Sequence, residues 1–268
     1  MAEQTLAACD SGRYANERGA IIELRGAIER AVAGTVLHDL ATYVSPPVRE
    51  RVPVAAISVT SETTIAALRR LRPTGGHIGC LNFASAKNPG GGFLGGAQAQ
   101  EESLARSSAL YPCLQTQPEH YARNRANQSA IYLDLAIYSP AVPFFRDDEG
   151  RWLDAIIPCS VITCAAPNAA ALRQQGTYEA AAVEAALRSR AGLVLAIARD
   201  HGIEKLILGA WGAGVFGNDP LVVARTFADL LHGPFERAFA EVVFAVIHGP
   251  NHDAFAETFS DSSRAGRA

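Results

Sequence analysis

The feature that most constrains this chain is an order that repeats along it: an apolar strand pattern, a loop, then a helical pattern. HIGCLNFAS (77–85) reads as a strand, a glycine-rich turn follows, and QAQEESLARSSALYPCL (98–114) reads as a helix that stops near Pro112. EKLILGAWG (204–212) is a second strand, GAWGAGVFGNDP (209–220) a second glycine loop, and DPLVVARTFADLLHG (219–233) a helix with Pro220 in its first turn. VAAISVTSETTIAALRRL (54–71) switches from a β-branched strand to a helix, with Ser61 or Thr60 as its expected cap and Glu62 in its first turn. This order predicts a three-layer α/β fold, a mixed β-sheet flanked by helices. Ligands of such sheets bind beyond the carboxyl ends of the strands.

The remaining segments fit around that sheet. IIELRGAIERAVAG (21–34) has helical spacing and ends at a glycine, so residues 1–50 are expected to be an N-terminal helical extension packed on the core. A helix is expected over 119–128. Two strands, 130–140 and 141–148, are expected to break at Ser139-Pro140, and Asp147, Asp148, Glu149 and Arg151 read as a solvated turn. SVITCAA (160–166) reads as a short buried strand, 178–202 as a long helix or two, EVVFAVIHG (241–249) as the last strand, and 259–268 as a flexible tail. No linker or repeat divides the 268 residues, and 49% apolar content supports a sizeable core. The core domain is therefore expected over 51–258.

Composition excludes several classes. The formal net charge of -3 lacks the basic excess of a non-specific nucleic-acid binder, so no direct nucleic-acid binding is expected. Cys9, Cys80, Cys113, Cys159 and Cys164 contain no CxxC pair and read as reduced, mostly buried thiols. His38, His77, His201, His248 and His252 are isolated and read as core or surface residues, with His248 placed to border a site. Neither a metal nor a cofactor is expected. The start of the chain lacks a signal-peptide pattern and no run reaches the length of a membrane span, which points to the cytoplasm. A monomer is expected.

Chemistry concentrates between Asn82 and Tyr111, NFASAKNPGGGFLGGAQAQEESLARSSALY. Glycines bring backbone N–H groups close to a ligand, and Glu101 and Glu102 sit in the first turn of the helix that follows. Adjacent helical residues diverge by about 100°, so the two carboxylates are unsuited to flank one bond from opposite sides. One is then catalytic and the other binds, or both merely favour a helix N-terminus. Arg106 and Ser107 lie one turn on, and Phe93 and Tyr111 are divided between pocket and packing. In the second loop, Gly212, Gly214 and Gly217 are spaced to form a nest for a diphosphate. The loop lacks the GK[ST] ending of a Walker A motif and is not a GxGxxG fingerprint. Phe216 is assigned to ligand contact and Trp211 to packing. Glu62, Thr63 and Thr64 are either caps or the edge of a nucleotide site.

The triple glycine Gly90–Gly92, seven residues, then Gln100-Glu101-Glu102 resembles the signature of poly(ADP-ribose) glycohydrolases. With GAWGAGVFGNDP downstream, the chain resembles the small microbial type over about residues 10–255. The resemblance implies a macrodomain-like fold and hydrolysis of the ribose–ribose O-glycosidic bond of poly(ADP-ribose), mainly from the polymer end, releasing ADP-ribose. It assigns the catalytic role to Glu102, with Glu101 orienting the ribose and Gly90, Gly91 and Gly92 wrapping it. Asn82, Asn88 and Gln100 would support the loop or the sugar hydroxyls. Gly212, Ala213, Gly214, Val215 and Phe216 would form the diphosphate loop, with Phe216 against the distal ribose. Poly(ADP-ribose), ADP-ribose and ADP-ribosylated proteins are the implied partners. Removal of single ADP-ribose units and non-catalytic ADP-ribose binding are the alternative readings.

Overall fold

A computed structural model describes residues 1–45 and 56–265. In chain order these form α1 (Ala2–Ser11), β1 (Arg13–Ala15), β2 (Ile21–Glu23), α2 (Arg25–Ala33), β3 (Val36–Asp39), β4 (Ala56–Thr60), α3 (Thr64–Leu71) and β5 (Ile78–Phe83). There follow α4 (Gln100–Ser107), α5 (Leu110–Gln115), α6 (Pro118–Ala126), β6 (Leu135–Arg146), β7 (Trp152–Cys164) and α7 (Ala169–Gln174). The chain continues through α8 (Ala180–Asp200), β8 (Lys205–Leu208), α9 (Pro220–Leu231), β9 (Glu241–Ala245) and α10 (Pro250–Ala265).

Seven strands form one mixed sheet in the order β3-β6-β7-β5-β8-β9-β4. β7, β5, β8, β9 and β4 run parallel, while β6 pairs antiparallel with both β3 and β7. Helices cover both faces, which explains why the parallel strands are apolar runs rather than alternating ones. In β9, Val242 and Phe244 join the layer of α8, α9 and α10, while Val243 and Ala245 face the layer of α2 to α6. β8 divides likewise, with Leu206 and Leu208 opposite Ile207.

Several boundaries differ from the sequence reading, each for a local reason. The lead-in carries helices α1 and α2, but Ile21–Glu23 is a strand paired with β1, and β3 is an edge of the main sheet. The boundary expected at residue 50 lies outside the described residues. The helix α3 is capped by Thr63, whose hydroxyl accepts from the Ala66 N–H, and not by Ser61 or Thr60. The segment 98–114 is two helices. Ser108 is extended between them and bridges to Phe144, so Pro112 sits inside α5 and does not end a helix.

β6 runs through Pro140 without a break. Its pairing with β3 ends at Tyr138 and a register shift follows between Ser139 and Val142, so the missing N–H of Pro140 falls where no partner strand needs it. β7 is thirteen residues long, more than the 160–166 expected. The turn joining β6 to β7 is not fully solvated: Asp147 is buried and receives Arg151 through both backbone and side chain. The tail is helical to Ala265. Phe255 and Phe259, four residues apart, both pack on Phe244 of β9.

Candidate active site

The carboxyl ends of the parallel strands open into one pocket of about 560 Å³. Its wall takes Glu62 to Ile65 after β4, Phe83 to Ser85 after β5, Ala166 after β7, the loop from Ala210 after β8, and Ala245 to Ile247 after β9. Gln100, Glu101 and Glu102 close it from the first turn of α4. This is the crevice that an α/β sheet offers by its topology.

Three side chains fasten the first glycine loop to β5 and α4. Gln100 accepts from the Phe83 N–H at 2.9 Å and donates to the Leu81 carbonyl at 2.8 Å and to the Thr64 hydroxyl at 3.1 Å. Glu101 accepts from the Ser85 N–H at 2.6 Å and from the Asn82 amide at 3.2 Å, and Asn82 also donates to Thr163. Glu102 accepts from the Gly92 N–H at 2.8 Å through Oε1. Its second oxygen, Oε2, is buried and makes no hydrogen bond with the described residues. Gly90 and Gly91 adopt φ of 68° and 58°, and a Cβ on Gly91 would stand 2.3 Å from Glu102 Oε1 and 3.0 Å from Glu101 Oε2. The glycines thus let the backbone pass against its own two carboxylates.

Both glutamates are buried. Burial pushes the Glu101 carboxyl up to about 8; the N–H groups of Ser85, Asn82 and Gly90 pull it back, and the neighbouring Glu102 adds to the rise.

The second loop is built differently. Asn218 donates to the carbonyls of Pro167 and Gly212, and the buried Trp211 indole donates to the Cys164 carbonyl. Gly212, at φ 75°, cannot carry a Cβ, because one would meet Ala166 at 2.4 Å. The Phe216 carbonyl accepts from the Ala170 N–H at the start of α7. The N–H groups of Gly212, Gly214, Val215 and Phe216 make no hydrogen bond with the described residues. Unpartnered backbone N–H groups are able to receive an anion. The start of α9 adds little to this capacity, since Asp219 caps that helix with its own carboxylate.

The pocket wall includes Gln100, Glu101, Glu102, Gly212, Gly214, Val215 and Phe216. Asn82, Gly90, Gly91 and Gly92 stand behind it as supports, and Ala213 lies outside the wall. The exposed Asn88 supplies a carbonyl to the Gly91 N–H. Arg106 bonds the Ala97 carbonyl and Ser103, and Ser107 reaches the Asp147 carbonyl. Phe93 and Tyr111 pack on each other at 5.2 Å, away from the wall, and His248 also lies off it.

Sequence reasoning did not single out Ser85, Asn218 or Arg190. Arg190 is buried in α8; it pairs with Asp134 at 2.7 Å and holds the carbonyls of Ile131, Tyr132 and Ala165. Tyr132 has a φ of 64° and lies 6.1 Å from the Phe216 ring. A lone arginine on the apolar face of a long helix was the available signal. Among the described residues, no group of three or more His, Cys, Asp or Glu is placed to hold a metal ion, and no helix is long and apolar enough to cross a membrane.

Comparison with known proteins agrees with this geometry. The profile of the family described as microbial-type PARG, catalytic domain, matches residues 2–147. The crystal structure of poly(ADP-ribose) glycohydrolase from Thermomonospora curvata superposes with a TM-score of 0.91 at 45% identity, over 96% of this chain and 97% of that one. The same protein bound to the inhibitor ADP-HPD gives 0.87 at 44% identity over 96% and 97%. Poly(ADP-ribose) glycohydrolase from Deinococcus radiodurans in complex with ADP-ribose gives 0.80 at 43% identity over 90% and 99%. No curated protein matches.

Proposed function

The chain belongs to the microbial-type poly(ADP-ribose) glycohydrolases, enzymes that hydrolyse the ribose–ribose O-glycosidic bond of poly(ADP-ribose), and we propose that Glu102 is the general acid and base of that reaction. The observation that supports the assignment is the unshared Oε2 of Glu102, a buried carboxylate oxygen left without a partner among the described residues, at the pocket wall. Glu101 has both oxygens committed to N–H donors. A buried acceptor without a partner is costly, and a substrate hydroxyl or leaving oxygen would satisfy it.

In this reading ADP-ribose lies across the carboxyl ends of the strands, its diphosphate on the free N–H groups of the second loop and its distal ribose beneath Phe216. Glu101 orients that ribose. Cleavage passes through an oxocarbenium-like state. Glu102 gives a proton to the departing 2′-oxygen and then takes one from the attacking water. The diphosphate, held close by the second loop, offsets positive charge on the ribose. The protein acts mainly from the polymer end, as a monomer in the cytoplasm, on polymer carried by ADP-ribosylated proteins.

The test is incubation with poly(ADP-ribosyl)ated protein, without added metal, beside Glu102→Gln. The intact protein should release free ADP-ribose. The variant should lose roughly 10²–10⁴-fold in turnover while keeping its affinity for ADP-ribose. Unchanged turnover removes Glu102 from the role. Short oligomers appearing before ADP-ribose would contradict action from the polymer end, and release from singly modified protein alone would favour the mono-ADP-ribosyl reading.

A further inference from the structure

Beside the second glycine loop stands a strained residue. Three non-glycine residues among those described have a positive φ: Tyr132 at 64°, Ala141 at 44° and Arg237 at 60°. Ala141 lies in the register shift of β6 and Arg237 in the loop before β9. Tyr132 is the aromatic one, and for so bulky a side chain the left-handed region is an outlier that glycine or asparagine would occupy with less strain. The structure fixes it from several sides. The Tyr132 N–H closes the turn 129–132 on the Ser129 carbonyl at 3.2 Å, and the buried Asn124 takes the next N–H, that of Leu133, at 3.0 Å. Arg190 of α8, fully buried, donates to the carbonyls of Ile131 and Tyr132 and to Asp134 at 2.7 Å, and Ser189 holds the other Asp134 oxygen at 3.0 Å. A strained conformer persists where its surroundings over-determine it in this way, and such conformers cluster at functional sites.

The same guanidinium joins this turn to the seat of the second loop. Arg190 donates to the Ala165 carbonyl at 2.8 Å, and the residues that follow carry the loop: Ala166 abuts Gly212, the Pro167 carbonyl accepts from Asn218, and the Asn168 N–H returns to the Ala130 carbonyl at 2.9 Å. Phe216 is fixed at its carbonyl by the Ala170 N–H at 2.9 Å. Its ring lies 6.1 Å from that of Tyr132, tilted by 50°, within the range of about 4.5–7 Å over which aromatic pairs attract. Phe216 belongs to the pocket wall and Tyr132 does not, so Tyr132 stands behind it. We propose that Tyr132 is a positioning residue for the glycosidic cleavage, its ring backing Phe216 so that Phe216 holds the distal ribose at the angle Glu102 requires. This rests on the glycohydrolase reading above, which puts that ribose beneath Phe216. The strain then has a use, because a relaxed glycine or asparagine in the turn would leave Phe216 without its neighbouring ring. The diphosphate, resting on backbone N–H groups, does not depend on that ring, so binding and turnover separate.

The test compares Tyr132→Asn, which suits the left-handed backbone but removes the ring, with Tyr132→Phe, which keeps the ring. Turnover of poly(ADP-ribose), affinity for ADP-ribose and melting temperature are measured for each. Tyr132→Asn should lower kcat about tenfold, as expected when a reacting group is held less closely, and leave ADP-ribose affinity and melting temperature near those of the parent. Tyr132→Phe should restore kcat. In a Phe216→Leu background, Tyr132→Asn should lower kcat by no more than about twofold, because the ring it supports is already gone. Full kcat in Tyr132→Asn overturns the proposal. Equal losses of kcat and affinity also overturn it, since they mark a merely structural role, as do independent, multiplying losses with Phe216→Leu, which would place the effect elsewhere. Failure of the glycohydrolase reading would show separately, as no release of ADP-ribose from polymer by the unaltered protein, and this proposal would fall with it.

Discussion

The two glycine-rich loops look alike in sequence and are opposite in construction. The first, between β5 and α4, spends its N–H groups internally: Ser85 on Glu101, Gly92 on Glu102, and Gly91, Phe93, Gly95 and Ala97 on carbonyls of the same loop. The second, between β8 and α9, leaves the N–H groups of Gly212, Gly214, Val215 and Phe216 without partners among the described residues. Glycine therefore serves two ends here. In the first loop it admits the backbone to the carboxylates that the protein itself supplies; in the second it leaves N–H groups unpartnered among the described residues, where the proposed diphosphate would lie. The missing Cβ of Gly91 faces Glu102 at 2.3 Å, and that of Gly214 faces open space.

This contrast predicts different failures. Gly91→Ala should have the largest effect. Its φ of 58° costs an alanine about 1–2 kcal/mol, and the methyl group must displace Glu102. Turnover should fall on the order of 10²-fold, as expected for an ångström-scale misplacement, with a lowered melting temperature. Rates and melting curves close to the parent would break the account of the first loop. Gly214→Val should leave the melting temperature unchanged and weaken ADP-ribose by about tenfold, or about 1.4 kcal/mol, as read by calorimetry. A variant with intact affinity would show that the second loop is not where the anion sits.

A further effect concerns pH and belongs to the first loop alone. Because the folded value of Glu101 lies above its ordinary one, the folded protein keeps a proton that the unfolded chain releases. That stabilising contribution is complete below the unfolded value of 4.5 and is lost as pH rises through about 8. Denaturant midpoints should decline across that window, and Glu101→Gln should flatten the decline. Parallel curves for the two proteins would remove burial as the source of the shift.

The same contrast marks what the sequence made legible. The carboxylate pair, both glycine loops and the strand–loop–helix order were readable because each depends on residue types at short spacing. The direction of the first loop's N–H groups was not, since it depends on Gln100 and Asn82 reaching across to β5 and to Thr163. The supports Asn218 and Arg190 act on carbonyls far away in the chain and leave no local pattern. The length of β7 was hidden by its exposed, mixed first half, WLDAIIP, and by Pro158, which pairs opposite Pro143. Pro250 opens α10, a helix over a stretch to which the sequence reading assigned no element before the tail at 259, and its core contact rests on Phe255 and Phe259. At Ser108, an extended residue bonded to β6 overrode the helical pattern on either side.

The most direct test of the two-loop contrast is amide hydrogen exchange, residue by residue, with and without ADP-ribose. The Ser85 and Gly92 amides should be protected in the free protein and change little on binding. The amides of Gly212, Gly214, Val215 and Phe216 should exchange rapidly when free and become protected by the ligand. Protection appearing in the first loop while the second stays unchanged would contradict the contrast, and would place the anion on the loop that carries the carboxylates.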